Sequence, residues 1–133
     1  MNAPTQGQTS TPPRVRIIQH AGKPVVLLDF AGITDRDDGL AAVAEARRFV
    51  ATLPADGTHC TLTDVRGTRY DRKIVEAFKE LTEHNRPYMR AAAVISDSAI
   101  HRAAITMIAA FSRRKLAVFD TREAGLEYLT RPD

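Results

Sequence analysis

The chain has 133 residues, 44% of them hydrophobic and 26% charged, which is the composition of one ordinary globular domain and excludes a disordered or collagen-like chain. Nineteen Lys and Arg stand against 16 Asp and Glu, and a net charge of +3 interspersed along the sequence does not argue for nucleic acid. A lone cysteine, Cys60, excludes an internal disulfide framework and suits a reducing cytosol, and no apolar run has the length to cross a bilayer, so a cytoplasmic location is expected.

Residues 1–13 carry no charged side chain and little that is apolar. Such a segment cannot bury enough surface to offset its ordering entropy, so it reads as a flexible tail before a single domain over 14–133. Val15-Arg16-Ile17-Ile18-Gln19 mixes β-branched and polar residues, as a half-exposed strand does. His20-Ala21-Gly22-Lys23 reads as a turn, and the nearly continuous apolar run at 25–30 as a strand covered on both faces. So short a connection pairs these two strands antiparallel.

Strand and helix then alternate. Thr34 or Asp35 is placed to cap a helix whose apolar side holds Leu40, Val43, Phe49 and Val50, ending before Pro54. A strand follows at 59–64. Asp71 caps a second helix with Ile74, Val75, Phe78 and Leu81 at helical spacing, stopped at Asn85-Arg86-Pro87. The next strand is expected at 88–95, and Ser96-Asp97-Ser98 offers capping oxygens to a third, very apolar helix. Leu116 to Phe119 reads as the last strand, and Asp120 with Glu123 as a capping-box-like start to a final helix carrying Leu126 and Leu129. The order ββαβαβαβα implies an α/β fold, a five-stranded sheet parallel except for its first strand, with helices on both faces.

Leu62-Thr63-Asp64-Val65-Arg66-Gly67, the helix end Asn85-Arg86-Pro87-Tyr88, Ala92-Ala93-Val94-Ile95, and Phe119-Asp120-Thr121-Arg122-Glu123-Ala124 follow one another in a familiar succession. In that order they resemble the small bacterial STAS-like proteins, similar in fold to sulfate-transporter and anti-sigma-factor-antagonist domains and with ascribed kinship to CRAL-TRIO lipid-binding domains. The resemblance spans roughly 14–130 and implies a regulatory or interaction module, not an enzyme. In the antagonists a serine at the start of the helix after the third strand is phosphorylated. Here, in Thr68-Arg69-Tyr70-Asp71-Arg72-Lys73, Arg72 and Lys73 hold the serine-bearing positions, with Asp71 near the family's aspartate, so the phosphoacceptor is missing, and Thr68 is the substitute considered.

In open sheets of this kind, partners meet the loops beyond the carboxyl ends of the parallel strands. The loop at 65–71 is the most promising, because Arg66, Arg69, Arg72 and Lys73 lie near a helix N-terminus that already favours an anion. Asp71, as a cap, would neutralise that site from within, leaving a solvated basic loop as the simpler account. The partner-binding residues expected are Arg66, Thr68, Arg69, Tyr70 and Asp71, with Ser96 and Asp97 as neighbours: arginines for carboxylates or phosphates, Tyr70 for apolar contact with a polar tip.

Ser96, Ser98 and His101 suggest a nucleophile and base, but no strained Gly-x-Ser-x-Gly elbow surrounds them and capping explains them more simply. His20, His59, His84 and His101 lack metal-ligand spacing, and Gly32, Gly39, Gly57 and Gly67 stand isolated, so no metal, nucleotide or other cofactor is expected. Cys60, inside a strand pattern, reads as an inert buried thiol. The third helix carries more apolar surface than one sheet face requires. Burial against the neighbouring helix is the expected reason; an exposed patch for a second subunit or an acyl chain is the alternative. The function expected is a non-enzymatic regulatory module binding another protein, or itself as a homodimer. The alternative is a carrier of a lipid or small apolar ligand, which requires an enclosed cavity of roughly 300 Å³ or more between that helix and the sheet.

Overall fold

The chain reverses first at Ala21 and Gly22, both left-handed with φ of +52° and +76°, the two-residue loop whose twist matches paired strands. It joins β1 (Val15–His20) to β2 (Lys23–Asp29), antiparallel from Val15 opposite Leu28 to His20 opposite Lys23. Residues 13–132 are described by the computed structural model; the tail read at 1–13 lies outside them except for Pro13.

Beyond the hairpin come α1 (Arg36–Val50), β3 (His59–Asp64), α2 (Arg72–Asn85), β4 (Met89–Ile95), α3 (Ala99–Ser112), β5 (Ala117–Phe119) and α4 (Arg122–Thr130). Asp35, Asp71 and Ser98 cap the first three helices, their side-chain oxygens accepting from the backbone N–H of Asp38, Ile74 and His101. Two strands start later than the sequence suggests. Arg86–Tyr88 forms a 3₁₀ turn around Pro87, which delays β4 to Met89, and β5 begins at Ala117. The cap of α4 is also corrected: Thr121 Oγ1 accepts from the Ala124 N–H at 3.2 Å, while the Asp120 carboxylate is drawn to Arg102.

The strands lie in sheet order β1-β2-β3-β4-β5, with β2 to β5 parallel. Each parallel strand neighbours the one before it, and right-handed crossovers therefore set α1, α2 and α3 side by side on one face. There Leu28, Phe30, Val43, Ile74, Phe78, Leu81, Val94, Ile105 and Ile108 form one core. On the other face, among the described residues, α4 alone covers Val25, Leu27, Leu62 and Ile95 with Leu129 and Leu126. It sits close because residue 125 is glycine: a Cβ there would come within 2.7 Å of Leu62 Cδ1 and 2.8 Å of Ile95 Cδ1. Among the described residues, no helix is long and apolar enough to cross a membrane.

Candidate functional site

A sheet wound in one direction has no point where strand order reverses, so its carboxyl edge does not open into the crevice of doubly wound folds. The loops are knitted together instead. The N–H groups of Phe30, Gly32, Val65, Arg69 and Ser96 donate to the carbonyls of Asp64, Arg66, Ile95, Ile33 and Phe119, carrying the ladder past the strand ends.

Two charge clusters finish this rim. At the end of β3, Asp64 is 0% exposed and accepts from Arg66 through both oxygens (Nε at 3.1 Å, a terminal N–H at 2.7 Å) and from Arg122 Nε at 2.7 Å. Arg122 also reaches Asp29 at 3.2 Å, so one guanidinium links the ends of β2 and β3 to the start of α4. Burial pushes the Asp64 carboxyl up, but the hydrogen bonds from Arg66 and Arg122 outweigh it and hold the group below its ordinary value. At the start of α2, Asp71 takes the Ile74 N–H at 3.0 Å and Arg36 Nε at 2.7 Å, with Arg69 Nε 3.7 Å away. The backbone bond from Ile74, then that from Arg36, lowers the Asp71 carboxyl. The helix end expected to favour an external anion is thus occupied by the chain's own carboxylate.

The seven expected partner residues divide accordingly. Arg69 and Asp97 are exposed. Arg66 and Asp71 reach the surface but are engaged by Asp64 and Arg36. Thr68 and Ser96 do not reach it. Thr68 is 4% exposed with its hydroxyl donating to the Phe30 carbonyl at 2.7 Å, and Ser96 is 0% exposed with its hydroxyl turned to the Ser98 backbone. Tyr70 is packed inward, edge-on to Phe78 and stacked on His101 with ring centroids 3.8 Å apart and planes at 9°. Burial raises its hydroxyl pKa far above the usual tyrosine value. Asp29, Asp64 and Arg122 were not among the expected residues. Their signal was available in the two aspartates that close apolar strands.

The Tyr70–His101 stack joins the rim to α3. One side of that helix is buried through Ile105 and Ile108; among the described residues, nothing covers the other. Ile100, Met107 and Phe111 are 82%, 59% and 57% exposed and, with Ala103, Ala104 and Ala110, occupy one stripe at helical spacing. The expected burial of this extra apolar surface against the neighbouring helix is therefore corrected: α3 is the outermost of the three helices on this face, and α2 flanks it on one side. Lys79 lies 5.0 Å above the Phe111 ring and borders the stripe.

Beneath α2 and α3 lies a cavity of about 50 Å³, walled by Phe30, Tyr70, Phe78, Ile105 and Ile108 and by the polar Thr61 and Asn85. Its size suits a few water molecules and falls short of the roughly 300 Å³ required of a ligand carrier. The Ser98 hydroxyl accepts the His101 backbone N–H at 3.3 Å, and His101 Nδ1 is buried without a partner among the described residues, so no nucleophile–base hydrogen bond is formed through that nitrogen. Cys60 is buried, and desolvation raises its pKa against the opposing influence of Arg90, whose guanidinium lies 3.7 Å from Sγ.

Compared with known proteins, the chain matches no family model, no curated protein and no solved structure.

Proposed function

We propose that this protein is a non-enzymatic regulatory module of the STAS-like kind that binds another protein through the outer face of α3 and the adjoining strand-end residues Arg69 and Asp97. The observation that carries the reading is the uncovered stripe of Ile100, Met107 and Phe111 on a helix whose opposite side is core. Small soluble domains seldom leave three large apolar side chains in one line without a partner for them. The rim supports the reading through its carboxylates: Asp64 and Asp71 are answered by Arg66, Arg122 and Arg36, and the cap at Asp71 takes the helix end from a small anion, while Arg69, Arg72, Lys73 and Asp97 stay exposed at the surface. The 50 Å³ cavity gives the alternative of an apolar-ligand carrier no comparable support.

A photoreactive amino acid placed at Met107 tests the proposal in cells that make the protein. Irradiation is expected to produce a covalent adduct with a protein, suppressed by Phe111→Asp and absent when the probe sits at exposed Glu45 on α1. An irradiated Met107 probe that captures no protein overturns the reading.

A further inference from the structure

We infer that the partner seated on this stripe is a second copy of the same chain, docked α3 against α3 in antiparallel fashion about a two-fold axis; this rests on the interaction reading above. The stripe is self-complementary. Antiparallel pairing that sets Ile100 beside the partner's Phe111 also sets Ala104 beneath the partner's Met107, large residues over small ones, and symmetry repeats both contacts. The small side chains of Ala103 and Ala110 permit close approach of the two helices.

Charge points to the same arrangement. Asp97 stands exposed just before α3, whereas Arg113 and Lys115 stand exposed just after it. Docked head to tail, each copy lays its acid on the other's bases, and the helix dipoles oppose favourably. Other charges near the stripe are engaged within the chain: Arg102 with Asp120, Arg86 with Glu83, and Lys79 with Glu76. The chain's own first 12 residues are poorer occupants, since they offer no charged side chain and, among large apolar ones, only Met1. A contact along 14 residues of helix is about 21 Å long and lies at the small end of specific interfaces, so the dimer is expected to dissociate on dilution.

Sedimentation of the full chain across a dilution series is expected to show mass rising from one copy towards two. Phe111→Asp, which puts a carboxylate beside Lys79 and leaves the core intact, is expected to stay monomeric with a thermal melt that matches the parent's at high dilution. Asp97→Lys and Arg113→Glu each place like charges at both ends and are expected to weaken association about tenfold. Mixed together, those two variants restore an acid–base pair at each end and are expected to associate as tightly as the parent chain. A parent that remains monomeric throughout, a Phe111→Asp that still dimerises, or a mixture no tighter than its components overturns the inference. A monomeric parent whose Met107 probe still captures a different protein removes the second copy but leaves the interaction module standing. Monomer without capture removes both.

Discussion

The carboxyl-end rim and the outer face of α3 lie side by side, joined through Tyr70 and His101, yet they are finished in opposite ways. The rim is polar and its buried and capping carboxylates are satisfied internally: Asp64 is held by Arg66 and Arg122, Asp71 by Ile74 and Arg36. The α3 face is apolar and unsatisfied. Sequence placed the candidate site on the first because arginines near a helix start resemble an anion site. We propose the second instead, because a charge already paired has less to offer a partner than a methyl group left in water.

The difference can be broken most severely from inside α3. Ile108→Ala, on the buried side, is expected to lower stability by about 3 kcal/mol in urea denaturation, from lost burial and the cavity left behind. At the rim, Asp64→Asn leaves two arginines without their carboxylate and is expected to cost about 2 kcal/mol by the same measurement. Acid sharpens the point. Because folding depresses the Asp64 pKa, its contribution is complete above the unfolded value of about 3.9 and is lost as pH falls through the lower folded value. The parent's urea midpoint should therefore drop through this acidic range, and the drop should be shallower in Asp64→Asn. Smallest of all is the expected effect of Phe111→Ser on the stability of a single chain, within about 0.5 kcal/mol in the same assay at high dilution. A large loss there would show that the stripe serves the fold, not a partner.

Much of the architecture was legible because its signals are local. Asp71 caps α2 through Ile74, and Ile74, Phe78 and Leu81 face the core at the spacing that marked them. The errors arose where one group chose between neighbours. Asp120 and Thr121 both have capping oxygens, and the choice was settled by Arg102, 18 residues earlier in the chain. The pairing of Asp64 with Arg122 spans 58 residues and exists only because the sheet places the end of β3 beneath the start of α4. Thr68 looked like a surface hydroxyl until the rim loops closed over it and gave it the Phe30 carbonyl. The excess apolar surface of α3 was visible, but its exposure depended on α3 being outermost in its layer, a property of topology that periodicity does not encode.

The sequential strand order has a kinetic consequence. Every strand finds its partner in the strand next to it along the chain, so assembly can zip from β1 towards β5 without waiting for a distant segment to arrive. Loop-closure entropy is met in small instalments, and refolding should be faster than for doubly wound sheets of similar length, whose central strands must await both halves.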